Sequence, residues 1–241
     1  ADKHKVNLMV GHVLLFHPAI IKIKEMIDSG KIGKLEYIYS NRLNLGTVRT
    51  EENILWSFAP HDISIFEYFI GSNPTEVVSR GGAFLQPGIH DTTMTTLTYP
   101  NNVVGHIFVS WLHPFKEHRM VMIGSKGMIS FEDSSEEKDI LFYEKGIDWI
   151  QGEPIKRDGP TEVIPYEKGF PLTNEIQYFI DHLDGSKLEI ADGQNAFDVL
   201  EVLEKATHSL QGTMPEVNDE APTAKSDFFV HPTSEVDAGV T

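Results

Sequence analysis

The chain has 241 residues, 40% of them hydrophobic, which is enough apolar content to bury a core and excludes a wholly disordered chain. Its 36 acidic residues exceed its 20 Lys and Arg residues and give a formal net charge of −16. A field of that sign repels nucleic-acid phosphates and anionic lipid surfaces. There is no cysteine, which excludes disulfides, zinc fingers and thiol nucleophiles. We expect a cytoplasmic protein that binds neither nucleic acid nor membrane.

The first 71 residues alternate between extended and helical patterns. Pro18 suits a first helical turn, Ile20, Ile23 and Ile27 recur at helical spacing, and Gly30 suits a left-handed cap. In chain order, we predict a strand over Val6–Phe16, a helix from Pro18 to Gly30, a strand over Lys34–Leu45 and a helix from about Asp62 to Gly71.

Between Thr75 and Tyr143 the apolar residues follow a period of two, which is typical of strands. Pro100–Asn102 and Gly124–Gly127 suit hairpin turns, so we predict an antiparallel sheet. Asp148–Gly169 carries three prolines and predicts an irregular loop. Two helices should follow, with apolar stripes formed by Ile176, Phe179, Ile180 and Leu183, before Gly185, and by Ala196, Val199, Leu200, Leu203 and Leu210.

These elements predict an α+β fold with an open, mainly antiparallel sheet and helices packed on one face. The composition changes after Gly212 to Pro, Glu, Asp and small polar residues, which is typical of a linker. We therefore expect one main domain over residues 1–211, a linker over 212–227 and the truncated start of another domain over 228–241.

The motifs that would indicate a self-contained enzyme do not occur in the sequence. It has no GxGxxG turn for a dinucleotide, no P-loop, no HExxH zinc motif and no GxSxG nucleophile elbow. His12 with His17 and His113 with His118 are its close histidine pairs, and neither has metal-binding spacing with a carboxylate third ligand. We therefore predict that this chain alone binds neither cofactor nor metal.

The segment from Asn44 to Gly71 is the most informative one. His61 and Asp62 follow Pro60 at the expected start of a helix, where an imidazole could be directed into a cleft and accept a hydroxyl proton. The alternative is that His61 caps the helix and Asp62 only offsets its dipole.

Further polar side chains lie near the expected strand ends and in the following loop. Hydroxyl or phosphate groups of a sugar nucleotide could be held by residues of this kind. The candidates are His12 and His17 beside the first strand, Arg42 and Asn44 near the end of the second, and Arg49 and Asn53 in the loop. The alternative is that they are solvated strand ends. Trp56, in the same loop, is a stacking platform or part of the core.

The sequence resembles a known family in motifs and in their order. The helix end IDSGKIG, the PHD helix, the GSKG hairpin and the final FPLTNEIQYFIDHL helix resemble the C-terminal half of the glucose-fructose oxidoreductase / inositol dehydrogenase / MocA family. The resemblance covers roughly Val6 to Gln211. It implies a substrate-binding and oligomerisation domain whose partner, a Rossmann domain that binds NAD or NADP and carries the lysine of an EKP motif, is not in this chain.

The family resemblance assigns His61 as the catalytic residue, because the histidine of the family's D-x-x-x-H motif falls there. The aspartate of that motif falls on Ser57, and a later acidic position falls on Ser64, with Asp62 offering a carboxylate nearby. It also implies that His12, Arg42, Asn44, Arg49, Asn53 and Asp62 orient the substrate. The two serines favour an alternative, a non-catalytic binding or scaffold module with the same fold.

Two further motifs resemble more specific groups of proteins. The NLG and PHD segments resemble dehydrogenases of nucleotide sugars such as UDP-N-acetylglucosamine uronates, in surface polysaccharide synthesis. VHPTSEVDAGVT resembles the first coil of a left-handed β-helix acyltransferase of the hexapeptide-repeat type.

The open sheet also predicts an assembly. Met94, Phe108, Trp111 and Met120 could supply an apolar surface on the face that the helices leave free, so we expect a homo-oligomer formed through the sheet. The alternative is a monomer with a polar outer face.

Overall fold

A single eight-stranded sheet organises the domain. The structure is a computed structural model that describes residues 2–4 and 6–212. The strands are β1 (Leu35–Leu43), β2 (Glu76–Gly82), β3 (Thr92–Thr98), β4 (Val104–Ser110), β5 (Glu117–Gly124), β6 (Met128–Glu132), β7 (Ile140–Tyr143) and β10 (Thr161–Ile164), and a separate hairpin consists of β8 (Gly146–Ile150) and β9 (Glu153–Arg157).

The sheet is open and mainly antiparallel, as predicted. Its order is β10-β7-β6-β5-β1-β4-β3-β2, and β1 lies at the centre between β5 and β4. The β1–β4 pair is parallel, while the other pairs in this sheet are antiparallel. The predicted turns at 100–102 and 124–127 connect β3 to β4 and β5 to β6.

The helices pack on one face of this sheet and form the core with it. They are α1 (Pro18–Asp28), α2 (Ile54–Ile70), α3 (Pro171–Asp181) and α4 (Gly193–Gln211). Ile38 of β1, Ile107 of β4 and Met122 of β5 point toward the helices and are fully buried among side chains such as Ile63 and Phe66. This one-sided arrangement leaves the other face of the sheet without a covering layer in the described residues.

The long helix α2 begins eight residues earlier than predicted. Asn53 caps it, with its Oδ1 accepting a hydrogen bond from the Trp56 amide, and Gly71 ends it in the left-handed region at φ 73°. Pro60 therefore lies inside the helix and not in its first turn. Burial of Ile54, Leu55 and Ala59 outweighs the one backbone hydrogen bond that the proline removes.

Two other local predictions are wrong. Val6–Phe16 is not a strand: apart from one isolated bridge at Met9 it lacks strand pairing, and Val13–Phe16 forms a short 3-10 helix. Asp148–Gly169 is not an irregular loop, because β8, β9 and β10 occupy most of it. Apolar composition and prolines misled both predictions, since strand formation depends on which partner edge is available.

The remaining helices match their predicted positions, but one stripe is not core. α4 buries Val199, Leu203 and Leu210 as predicted, but Leu200 of the same predicted stripe is exposed. In α3 the predicted stripe, Ile176, Phe179, Ile180 and Leu183, is largely exposed.

Some predictions concern residues that the structure does not describe. Apart from Gly212, the predicted linker over 212–227 and the segment 228–241 lie outside the described residues. Within 2–4 and 6–212, no helix is both long and apolar enough to cross a membrane.

Candidate functional site

His61 lies in the interior of α2, two turns after the helix begins. The expectation that His61 and Asp62 lie at a helix start, near its positive dipole end, is therefore wrong. The same is true of the expectation that His61 caps the helix, because Asn53 does so. His61 is instead positioned by the packing of α2 on the sheet.

A buried ion pair lies next to His61. Arg42 on β1 donates from Nε to Asp62 Oδ2 at 2.8 Å and from a terminal nitrogen to Asp62 Oδ1 at 3.1 Å. Arg42 is 9% exposed and Asp62 is 1% exposed. Burial alone would lower the pKa of Arg42, but the charge and hydrogen bond of Asp62 outweigh burial and raise it. The bidentate pair fixes β1 against α2 at this point.

His61 is held in its neutral form. Burial lowers the pKa of its imidazole, the positive charges of Arg42 and, more weakly, His12 lower it further, and Asp62 opposes them. Its Nδ1 is buried and has no hydrogen-bond partner among the described residues. A neutral imidazole can accept a proton, which is the property a general base requires. Because Nδ1 is closed to solvent, a substrate hydroxyl would meet the other ring nitrogen, Nε2.

His12 lies on the same side of the domain. It is 7% exposed, its Nε2 has no hydrogen-bond partner among the described residues, and burial lowers its pKa. It precedes the 3-10 helix over Val13–Phe16, so the expectation that it flanks a strand is wrong. The tertiary structure nevertheless brings it close enough to His61 to influence the charge there.

The other predicted substrate-binding residues are not joined to His61. Asn44 follows the end of β1, as predicted, and its backbone N–H donates a hydrogen bond to the backbone carbonyl of Ser110. Arg49 is exposed, with Nε 4.0 Å from Glu52 Oε1. The Asn53 side chain is used in capping α2. In the described part of the chain, no hydrogen bond or ion pair links Asn44, Arg49 or Asn53 to His61, so their contact with substrate stays a prediction.

Trp56 belongs to the core. Its ring packs against the hydrophobic cluster, and its Nε1 donates to Thr207 Oγ1 on α4 at 2.9 Å. The alternative of a free stacking platform is therefore wrong for this conformation.

Sequence reasoning missed His118 as a neighbour of Arg42. Its Nδ1 lies 3.4 Å from a terminal nitrogen of Arg42. Burial, followed by the charges of Arg42 and Lys116, lowers the pKa of His118 to about 4, although Asp62 and Asp133 oppose the shift. His118 therefore stays neutral at pH 7. Arg42 and His118 lie opposite each other because β1 pairs with β5 in this register. The sequence alone contains no signal for that register.

Asp133 and His17 extend this polar group. His17 Nε2 lies 3.6 Å from Asp133 Oδ1, and Lys138 donates to the same carboxylate at 2.8 Å. Burial raises the pKa of Asp133, but the hydrogen bonds from His17 and Lys138 outweigh burial and hold it below its usual range. A cavity of about 20 Å³ is enclosed between His17, Arg42, His118 and Asp133, which is enough room for one water molecule.

The described residues do not form a site suited to a dinucleotide cofactor. A pyrophosphate needs a glycine-rich turn between a strand and a helix with free amides at the helix start. The connections before α2 and α3, residues 44–53 and 165–170, contain one glycine each. Asn53 already occupies the Trp56 amide at the start of α2. Among the described residues, no three His, Asp or Glu side chains are grouped so that they could hold a metal ion.

Fold and sequence indicate which class of domain this chain resembles. Its α+β architecture, with an open, mostly antiparallel eight-stranded sheet, is that of the GFO/IDH/MocA C-terminal domain. Residues 20–130 match the family model described as the GFO/IDH/MocA C-terminal domain. The chain therefore resembles the C-terminal domain of the GFO/IDH/MocA oxidoreductases.

Particular relatives can be named from curated proteins. The chain is 31% identical over 143 residues to the uncharacterized oxidoreductase YrbE of Bacillus subtilis (strain 168), a match that covers 55% of this chain and 42% of YrbE. It is 25% identical over 158 residues to inositol 2-dehydrogenase 2 of Saccharopolyspora erythraea, which covers 63% of this chain and 44% of that protein. The matches thus span less than half the length of these relatives.

Solved structures show the same fold. UDP-N-acetylglucosamine 3-dehydrogenase GnnA from Acidithiobacillus ferrooxidans superposes with a TM-score of 0.72 at 20% identity, covering 88% of this chain and 64% of GnnA. A proposed NADPH-dependent oxidoreductase from Desulfitobacterium hafniense superposes with a TM-score of 0.73 at 18% identity, covering 88% and 65%.

Proposed function

We propose that this chain is the substrate-binding part of an NAD(P)-dependent oxidoreductase that acts on a sugar or nucleotide sugar, with His61 as the base. The observation that carries the proposal is the neutral, partly buried imidazole of His61 beside the fixed Arg42–Asp62 pair. The names of the relatives support the substrate class, since one acts on inositol and another on UDP-N-acetylglucosamine. NAD or NADP would be bound by a part of the protein outside this chain.

Different residues of this chain would transfer the proton, position α2 and contact the substrate. His61 takes a proton from a substrate hydroxyl, and Arg42 helps to keep its imidazole neutral. Arg42 and Asp62 are bound to each other and buried, which favours positioning of α2 over direct contact with the substrate. His12, Asn44, Arg49 and Asn53 remain proposed contacts with the sugar or its phosphates. A UDP-N-acetylglucosamine uronate, in surface polysaccharide synthesis, is the proposed substrate type.

The first test uses the 241-residue chain. Titration with UDP-N-acetylglucosamine, followed by tryptophan fluorescence, should show saturable binding. A parallel titration with NADH, followed by energy transfer from the tryptophans, should show none. Tight NADH binding would mean that the chain contains a cofactor site that the motifs and the fold do not reveal.

The second test uses a form that includes the cofactor-binding part. His61→Ala should lower kcat by about a hundredfold or more with little change in KM, because loss of a general base removes a contribution of this size. Because the pKa of His61 is lowered, the acid limb of the wild-type pH–rate profile should fall below pH 6.5. Turnover within a few fold of wild type would contradict the role of His61.

A second candidate function is a non-catalytic binding or scaffold module. Ser57 and Ser64 favour it, because they stand where the related family usually has carboxylates. Ser64 is buried and donates to the His61 carbonyl at 2.9 Å, so it stabilises the helix backbone and relays no proton. Saturable sugar-nucleotide binding without turnover in the form with the cofactor part would favour this candidate.

A further inference from the structure

A second polar cavity lies between the C-terminal end of α2 and the N-terminal end of α4. Its volume is about 440 Å³, and its lining includes Glu67, Asn195 and Asp198. Glu67 follows His61 by six residues, about 9 Å along the helix and on a different face. None of His61, Arg42 or His118 lines this cavity, so it is separate from the proposed sugar site.

Glu67 is an unpaired acid inside this cavity. It is 7% exposed, and its Oε2 accepts a hydrogen bond from Asn195 Nδ2 at 3.4 Å. Its Oε1 is buried and has no hydrogen-bond partner in the described residues, and the same holds for Asn195 Oδ1. When Glu67 is ionised, these two acceptors at one cavity wall have no donor within hydrogen-bond distance among the described residues. A buried carboxylate without a donor is costly, and a bound donor would remove that cost.

The other acidic groups of the lining already have partners. Asp192 caps α4 through the Asn195 amide, Asp198 accepts from Gln194 Nε2, and Glu189 pairs with Lys187. Lys24, which also lines the cavity, is bonded to Asp28. The lining is therefore negative overall, and the C-terminal end of α2 adds partial negative charge.

We propose that this cavity binds a small organic cation through its primary ammonium group, with Glu67 as the counterion and Asn195 Oδ1 as a second acceptor. An ammonium group presents three donors and no acceptor, which matches the unfilled acceptors. The volume lies in the range of small-ligand pockets. A metal ion does not fit, because no three carboxylate or imidazole groups of the described residues are suitably placed.

The charge state of Glu67 links binding to pH. Burial, followed by the charges of Asp198 and Glu201 on α4, raises the pKa of Glu67 to about 8. Tyr99 is also buried, and its pKa is raised by burial and by the charge of Glu67. At pH 7 the empty site is therefore protonated. Binding of an ammonium requires the carboxylate, so it must release a proton and tighten as the pH rises.

The test is calorimetric titration of the 241-residue chain with 1,4-diaminobutane. The uncharged analogue 1,4-butanediol is the ligand control. We expect saturable binding of the diamine alone, with a heat at pH 7 that depends on the ionisation enthalpy of the buffer. Glu67→Gln should weaken the affinity for 1,4-diaminobutane by about tenfold or more, because a charge-assisted hydrogen bond is lost. Glu204→Gln, which removes an exposed charge of α4 outside the cavity, should leave it unchanged.

A second variant avoids any effect of Glu67→Gln on folding. Asn73 is exposed and lines the cavity. Asn73→Lys places a tethered ammonium at the entrance and should compete with the diamine. Equal binding by wild type and both cavity variants would overturn the proposal. Absence of saturable binding by wild type would overturn it as well, and would leave Glu67 as a protonated acid that bonds only water.

Discussion

The residue-scale question is how a charged pair can lie inside this domain. Arg42 and Asp62 satisfy each other through two hydrogen bonds, and His118 lies beside the third guanidinium nitrogen. A buried pair of this kind contributes little net stability, but removal of one partner leaves an uncompensated charge. The pair therefore matters mainly because it fixes the distance between β1 and α2, where His61 lies.

Arg42→Ala should be strongly destabilising. Asp62 would remain buried without a counterion, and the free energy of unfolding should fall by about 3–5 kcal/mol in urea denaturation. The double variant Arg42→Met/Asp62→Leu, which removes both charges and keeps most of the volume, should lose clearly less. Equal losses in the single and double variants would show that packing, and not the unpaired charge, determines the effect.

His118 should make the domain sensitive to acid. Its pKa falls from about 6.5 in the unfolded chain to about 4 in the folded one. Above pH 6.5 the histidine is neutral in both states and costs no stability. As the pH falls from 6.5 toward 4, the unfolded chain takes up a proton that the folded domain does not, so the free energy of unfolding falls. His118→Gln should remove this loss of stability. Between pH 7 and pH 4.5 the wild type should therefore lose about 1–2 kcal/mol more of its free energy of unfolding than the variant does, a figure discounted for partial solvent access. Parallel pH–stability curves from thermal unfolding would contradict this role.

At the scale of elements, α2 determines where the candidate site lies, and β4 allows α2 to approach. A Cβ atom at Gly105 of β4 would lie 2.8 Å from Cδ2 of Phe66 and 3.3 Å from the Tyr99 ring. Phe66 is fully buried and cannot move aside. A side chain at position 105 must therefore push α2 away from the sheet.

Gly105→Val should lower the free energy of unfolding by about 1–3 kcal/mol, because overpacking at a close helix–sheet contact forces both elements apart. Gly82→Val in β2 is the matched control. A Cβ atom there meets only the ring of Phe84, which is 73% exposed and free to rotate away. Denaturant midpoints should therefore shift much more for position 105 than for position 82, and similar shifts would mean that strand propensity alone explains both.

At the scale of the whole molecule, one face of the sheet is not covered by any helix of the described residues. It carries Tyr39, Val121, Met128, Leu141 and Tyr143, which line a depression of about 670 Å³. Met94 and Phe108 lie on this face as predicted, but Trp111 and Met120 are buried on the helix side. The prediction for those two was wrong because strand parity, and not side-chain type, decides the face. The apolar side chains of this face lie among charged ones such as Arg119, Glu132 and Lys145, and they favour burial against a second copy of the chain.

We expect a homo-oligomer that forms through this face. Sedimentation at micromolar concentration should give at least twice the mass of the chain. Leu141→Lys should shift the population to monomers, because it places a charge among the apolar side chains that line the depression. Ile21→Lys, a similar change on an exposed position of α1 in the helix layer, should leave the mass unchanged. A monomeric mass for the wild type would leave the polar-face alternative.

The sequence by itself determined the order and type of most elements, because the signals are local. Period-two runs predicted β2 to β7, and Gly71 predicted the end of α2. Motifs shared with the related family, also local, led to the prediction of a catalytic role for His61. The tertiary structure was needed to show that α2 begins at Ile54, that Val6–Phe16 is not a strand, and that Arg42, Asp62 and His118 meet. Residues 42 and 118 are 76 positions apart, and the register of β1 with β5 alone places them opposite each other. Register and helix docking depend on the burial of the whole core, which no short segment encodes.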